Sequence, residues 1–170
     1  MVFSLMKSKK SEELLEIGWK EWVRLPDLGV PAIKAKVDTG ARTSAIHTFH
    51  IETFKQQGMD MVEFHIHPIQ KKTDITLVCV APVIEIRTVR DSGGHEEERH
   101  VIQTTLELMG QQWPIEITLT SRDDMMFRML LGRTAIRNKN IMINPEKSYL
   151  TGKTLKKAYR NVVANQIRSI

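Results

Sequence analysis

The sequence has a single cysteine and no long apolar run. Cys79, alone among 170 residues, cannot close an internal disulfide or build a zinc cluster of thiolates, and this usage fits a reducing compartment. No stretch of 18 apolar residues occurs, so the sequence predicts no membrane-spanning helix and no membrane partner. Lysines appear within the first ten residues and interrupt any secretory h-region. We therefore expect a cytoplasmic protein.

Positive charge is concentrated at the C-terminus. The formal net charge is +5, but residues 151–170 contain no acid and five basic side chains, namely Lys153, Lys156, Lys157, Arg160 and Arg168. Residues 1–150 therefore carry as many basic as acidic side chains. Nucleic-acid binding is not expected of the folded body, although a basic tail that binds RNA or the ribosome remains an alternative.

Apolar and polar residues alternate with a period of two in several segments, which is typical of half-buried strands. The segments are Ile33–Val37, Val62–Ile66, Ile75–Val89, Val101–Leu108 and Trp113–Leu119. Asp91-Ser92-Gly93-Gly94 predicts a hairpin turn between the third and fourth of them. Strands at a spacing of roughly ten residues, with little helix between them, predict a mainly β barrel or sandwich.

The ends of the chain differ from this body. Residues 1–16 form a polar leader, for which a short helical piece over Glu12–Ile17 is predicted. The domain itself is expected over residues 17–152, with one helical turn at Arg133–Arg137. Residues 153–170 form a basic tail in which apolar residues recur at near-helical spacing, so a C-terminal helix is one alternative and a solvated end the other.

The clearest chemical motif is Asp38-Thr39-Gly40-Ala41, which directly follows an alternating strand. Half of an aspartic-protease site needs an Asp where a strand enters a turn, a hydroxyl residue that holds the loop, and a Gly where two backbones approach. An Asx-type turn that merely ends a strand would use the same residues. The tetrapeptide alone leaves both interpretations open.

A second motif, Leu130-Leu131-Gly132-Arg133, lies about ninety residues downstream. Together the two motifs resemble those of retropepsin-like aspartic proteases. With Gly18-Trp19 and the segments 32–45 and 122–134, residues 17–152 resemble more closely a bacterial family catalogued as ATP-dependent zinc proteases. The resemblance implies a retropepsin-like closed barrel with one short helix. It also implies a peptidase with Asp38, Thr39 and Gly40 at its catalytic centre, associated with glutamate-ligase systems that modify a ribosomal protein.

Aspartic proteases use two carboxyl groups, and this chain has only one Asp-Thr-Gly. Two carboxyls about 3 Å apart cannot both ionise cheaply, so the pair holds one proton and offers one base and one acid. The second group would come from another copy, which predicts a homodimer. Asp123 or Asp124 of the same chain is the alternative source.

Substrate contacts are expected beside the motif. Arg42 and Ala41, together with Arg133, would contact a peptide. An arginine would form a bidentate hydrogen bond with a carboxylate of an acidic or glutamate-rich substrate. An ion pair of Arg42 with a neighbouring acid is equally compatible. The alternative to a peptidase is a binding module that recognises acidic peptides without cleaving them.

The zinc and ATP in the catalogued name have little support in the residues. No His-Glu-x-x-His occurs, and His65 and His67, with His95 or His100 as a third ligand, form only a weak alternative to a solvated strand face. Gly152-Lys153-Thr154 resembles the end of a phosphate-binding loop, but Lys147 stands where that loop needs a glycine. We therefore expect no metal and no cofactor.

Overall fold

A computed structural model describes residues 13–70, 74–121, 125–152 and 157–160. These residues form a mainly β fold with one short α-helix, α1 (Arg133–Ile136), and a 3-10 turn at Pro26–Leu28. The strands are β1 (Leu15–Gly18), β2 (Lys20–Leu25), β3 (Val30–Val37), β4 (Ser44–His47), β5 (His50–Gln56), β6 (Met59–Ile66), β7 (Leu77–Arg90), β8 (Glu96–Leu108), β9 (Gln111–Thr120), β10 (Met129–Leu131) and β11 (Ile141–Asn144).

The main sheet contains nine strands in the order β2-β3-β10-β4-β9-β8-β7-β6-β5. An additional pairing of β2 with β8, through Arg24 and Glu107, joins six of these strands into a ring. Strands β7, β6 and β5 extend from this ring, and β1 pairs with β11 in a separate two-stranded parallel sheet. The predicted mainly β architecture with a ring of strands is confirmed.

The core lies inside the ring, where alternate residues of each strand point inward. In β3, Ile33 and Ala35 are fully buried while Lys36 is exposed, as the alternation predicts. Leu106, Ile117 and other aliphatic residues of β8 and β9 meet them. Each buried leucine or isoleucine contributes about 1.5–3 kcal/mol, so burial of the apolar interior stabilises the ring.

The hairpin of β7 and β8 is longer than predicted. Its turn lies at the predicted Asp91–Gly94, where Gly94 has a φ of +83°, a left-handed conformation that favours glycine. The return strand begins at Glu96 rather than Val101, because Glu96–Arg99 pair with Arg87–Arg90 across the ladder. The four charged residues Glu96–Arg99 show no apolar alternation, so the sequence did not predict this part of the return strand.

Strand β1 corrects the helical prediction near the N-terminus. No part of Glu12–Ile17 that the structure describes is helical, and Leu15–Gly18 forms a strand that pairs with Ile141–Asn144. Gly18 is fixed by contact, since a Cβ there would lie 2.2 Å from the carbonyl oxygen of Lys147. The helical turn predicted at Arg133–Arg137 is confirmed, as α1 over Arg133–Ile136.

Most of the predicted C-terminal helix lies outside the described residues. Within residues 157–160, Tyr159 is buried against Trp22 and Ile75, and its hydroxyl donates a hydrogen bond to the carbonyl of Ala32. Burial of the phenol raises the pKa of Tyr159 above its usual value. Among the helices of the described residues, none has the length and apolar character needed to cross a membrane.

Candidate active site

The loop that follows β3 holds Asp38. Strand β10 pairs in parallel with β3 and antiparallel with β4, so it lies between the two strands that this loop connects. Leu131 is the register partner of Val37, and its carbonyl accepts the backbone N–H of Asp38 at 2.9 Å. The Leu-Leu-Gly motif therefore crosses directly behind the Asp-Thr-Gly motif.

The carboxylate of Asp38 is held by its own loop. Its Oδ1 accepts the backbone N–H of Gly40 at 3.0 Å and that of Ala41 at 3.3 Å. A Cβ on Gly40 would lie 3.1 Å from the same oxygen, so glycine leaves room for the carboxylate. Asp38 is half-buried, whereas Thr39 and Gly40 are exposed. These bonds fit both an Asx turn and an aspartic-protease loop, and they fix the orientation of the acid.

Gly132 brings the second motif against the end of the loop. Its N–H donates to the buried Oγ of Ser44 at 3.0 Å. The N–H groups of Arg133 and Thr134, at the start of α1, donate to the carbonyls of Ala41 and Arg42 at 2.9 and 3.0 Å. The amides of three consecutive residues directly after β10 therefore bind the end of the Asp38 loop. The sequence analysis did not single out Ser44, although this serine lies within the segment 32–45 that carries the family resemblance.

The Arg133 side chain also contacts the loop. Its Nη1 donates to the carbonyls of Thr39 and Gly40, at 2.8 and 3.1 Å. These bonds support the backbone next to Asp38, and a contact of Arg133 with substrate remains a prediction. Asp123 and Asp124, the alternative second acids, lie outside the described residues.

A cavity of about 290 Å³ opens beside the loop. Arg42 and Arg137 line it, together with Thr43, Glu116 and Thr134. The Thr134 hydroxyl is buried and has no hydrogen-bond partner within the described chain. Because Arg87 pairs with the Glu116 carboxylate at 3.1 Å, the two arginines and the unsatisfied hydroxyl make this cavity suited to an anionic group.

Arg87 links the β7–β8 hairpin to the same region. Its Nη1 donates to Thr43 Oγ1 at 3.2 Å, and its Nη2 forms ion pairs with Glu85 and with Glu116, the latter at 3.1 Å. Desolvation lowers the pKa of Arg87, but the hydrogen bonds that its guanidinium donates to Glu85 and Glu116 outweigh it and raise the pKa overall. Sequence reasoning missed this residue, because the contact depends on a register that the pattern does not reveal.

The structure groups the histidines differently from the zinc site considered in the sequence analysis, which combined His65 and His67 with His95 or His100. His65 lies with His50 and Glu63, and their ligand atoms are all within 4.8 Å of one another. His67 lies beyond the end of β6, where its ring stacks on Phe49 and its Nδ1 is 3.2 Å from the carbonyl oxygen of Ile75. His95 and His100 lie in the β7–β8 hairpin. The structure therefore does not group His65 with the predicted co-ligands.

Comparison with known proteins decides the family. The family described as retropepsin-like aspartic endopeptidase RimB matches residues 16–154. The chain belongs to this RimB-like family. The resemblance noted in the motifs is thereby confirmed. The description of this family as retropepsin-like agrees with the mainly β architecture of the described residues.

The curated relatives are named for a different activity. The chain is 46% identical over 142 residues to a probable alpha-L-glutamate ligase of Shewanella pealeana, covering 84% of this chain and 31% of that protein. The corresponding protein of Shewanella halifaxensis is 47% identical, with the same coverage. That of Desulfotalea psychrophila is 44% identical, covering 84% of this chain and 30% of that protein. The chain thus spans less than a third of the curated relatives it matches.

A solved structure shares the fold. The crystal structure of a protein of unknown function from Legionella pneumophila aligns with a TM-score of 0.68, covering 82% of this chain and 99% of that one. The two sequences are 22% identical. This likeness supports the architecture alone.

Proposed function

We propose that the chain is an aspartic-type peptidase that hydrolyses peptide bonds with carboxylate-activated water. The observation that carries the proposal is the half-buried Asp38 carboxylate, fixed by the amides of Gly40 and Ala41 at the point where β10 crosses behind the loop. Membership in a family described as retropepsin-like aspartic endopeptidases supports the same chemistry.

The mechanism requires a second carboxyl group beside Asp38. We propose that Asp38 of a second copy supplies it in a homodimer, because the chain has one Asp-Thr-Gly. The ionised member takes a proton from a bound water, whose oxygen attacks the peptide carbonyl carbon. The protonated member donates its proton to the carbonyl oxygen. The carbon–nitrogen bond then breaks, the departing amine receives a proton from the pair, and one hydroxyl of the tetrahedral intermediate returns a proton to it, so that the pair again holds one proton.

The proposed substrate is an acidic, glutamate-rich segment. Arg42 and Arg137 line the cavity beside the loop, where either guanidinium is suited to bind a carboxylate in a forked contact. The curated relatives, named as probable glutamate ligases, contain a region similar to this chain within a longer protein. A peptidase domain in such a protein would be placed to trim the glutamates that a ligase adds.

One assay tests the proposal. The purified protein is incubated with a glutamate-rich peptide and with a glutamine-rich peptide of equal length, and products are separated by mass. We expect cleavage of the first peptide, a loss of at least about 100-fold in Asp38→Asn, and no effect of EDTA. Equal cleavage by Asp38→Asn would overturn the proposal.

The arginine-lined cavity also favours a second candidate, a module that binds acidic peptides without cleaving them. In that case the wild-type protein and Asp38→Asn bind the glutamate-rich peptide equally, and neither releases a product. Fluorescence anisotropy of a labelled peptide measures this binding independently of cleavage.

A further inference from the structure

A second polar cluster lies on the β5–β6 hairpin. It contains His50, Glu63 and His65, whose ligand atoms are all within 4.8 Å of one another. We infer that this cluster is a binding site for a divalent transition metal of the Zn²⁺ class, with a structural role separate from peptide hydrolysis.

Strand register places the three groups on one face. His50 is the direct cross-strand partner of His65, and their rings lie 4.4 Å apart. Glu63 precedes His65 by two residues, which puts both side chains on the same side of β6, and its Oε1 is 3.0 Å from His65 Nε2. Two paired strands thus hold all three groups, which positions ligands better than a loop does.

The charges on this face favour a cation. Glu52 is the direct cross-strand partner of Glu63, and like charges directly opposite one another destabilise a strand pair. Glu52 Oε2 also lies 3.6 Å from His50 Nε2. A bound divalent cation would offset both carboxylates and remove their repulsion, with Glu52 or water as the fourth ligand.

The chemical types of the ligand atoms indicate which metal the site would bind. Two imidazoles and one carboxylate form a ligand set that zinc uses in sites with a fourth position for water. Magnesium prefers oxygen ligands and keeps several waters. At Zn–N distances of about 2.0–2.1 Å, two ligand atoms of a tetrahedral site lie roughly 3.3 Å apart. The ligand atoms here lie within 4.8 Å of one another, so each separation would shorten by about 1.5 Å at most. Rotation of the side chains is sufficient for that change.

The site and the Asp38 loop lie on different parts of the sheet. Strands β6 and β5, which hold the cluster, stand at the end of the strand order, whereas the Asp38 loop joins β3 to β4 within the ring. The metal would instead tie the edge strand β5, whose residues are mostly exposed, to β6. Exposed Val78 and Val80 of β7 are the register partners of His65 and Glu63 and flank the cluster with apolar surface.

Calorimetric titration of the metal-free, tag-free protein with ZnCl₂ tests the inference. We expect one Zn²⁺ per chain and no Mg²⁺ binding, with affinity lowered at least 10-fold in His65→Ala and in Glu63→Gln. His67→Ala is the matched control, because His67 is outside the cluster, and should bind as the wild type does. Absence of zinc binding, or equal affinity in His65→Ala, would overturn the inference.

Two further measurements use the unmodified site. Zinc at about 100 times its Kd should raise the melting temperature by roughly 5–10 °C, and X-ray absorption should show imidazole ligands at about 2.0 Å. A zinc spectrum without imidazole ligands would contradict the site. Asp38→Asn should bind zinc normally, so failure of this inference is distinguishable from failure of the proposed peptidase activity.

Discussion

Gly132 packs against the backbone of Thr43 so closely that a Cβ on Gly132 would lie 2.5 Å from the Thr43 carbonyl carbon. This contact, with the bond from the Gly132 N–H to Ser44, sets the distance between β10 and the loop that carries Asp38. The φ of Gly132 is −83°, a value that any residue could adopt. The close backbone contact, and not the backbone conformation, is therefore the reason for a glycine at this position.

Gly132→Ala should separate these two segments. Because the obstructing atoms belong to the backbone, we expect a loss of about 1–3 kcal/mol in the free energy of unfolding, measured by urea denaturation, and a fall in peptidase activity. Gly93→Ala is the control, since its nearest contact is the Asp91 side chain at 3.3 Å. Unchanged stability in Gly132→Ala would show that the loop adapts freely.

Arg133→Lys should weaken the support of the Asp38 loop while keeping the charge. Lysine cannot reproduce the guanidinium geometry that serves the carbonyls of Thr39 and Gly40. We expect kcat on a glutamate-rich peptide to fall about 10-fold, with KM little changed. Arg24→Lys, on the exposed side of β2, controls for the exchange itself. A rise in KM with constant kcat would instead identify Arg133 as a substrate contact.

Arg42→Gln and Arg137→Gln should alter substrate preference. Each removes one cation from the cavity beside the loop, so each should raise KM for the glutamate-rich peptide about 10-fold, which corresponds to one charge-assisted hydrogen bond. Cleavage of a peptide with a single glutamate should change less. An equal loss on both peptides would place the arginines in the support of the loop.

The sequence predicts the motifs better than it predicts their surroundings. Strand β3 alternates cleanly and leads into Asp38, so both the strand and the loop are visible from the residues alone. Strand β4 is buried at all four positions, which removes the alternation that identifies a strand. Contacts such as that of Arg87 with Thr43 depend on strand register, and a sequence pattern does not specify which strands pair.

The Cys79 thiol should be unreactive in the folded protein. Burial raises its pKa to about 12, which leaves almost no thiolate at neutral pH. Below the unfolded pKa of about 8.5, the thiol is neutral in both states and burial costs no charge. As pH rises from there towards about 12, only the unfolded thiol ionises, so the free energy of unfolding falls. We expect labelling by a thiol reagent at pH 8 to be at least about 100-fold slower in buffer than in urea. Fast labelling in buffer would contradict this burial.

Glu21→Gln should destabilise the fold without touching the candidate active site. The carboxylate of Glu21 is fully buried. Its Oε1 accepts the N–H groups of Gly18 and Leu150 at 2.8 and 2.9 Å, and its Oε2 accepts the N–H and hydroxyl of Thr151, both at 3.1 Å. A glutamine offers one acceptor oxygen and turns an amide nitrogen towards the remaining donors, which leaves buried groups unpaired.

For Glu21→Gln we expect a loss of about 2–4 kcal/mol in the free energy of unfolding, measured by urea denaturation. Glu146→Gln, at an exposed position, is the control and should change stability by less than about 0.5 kcal/mol. The segment around Leu150 and Thr151 should also become more accessible to hydrogen exchange, because Glu21 bonds both of its amides. Equal stability of the two variants would mean that these amides find other acceptors when Glu21 is replaced.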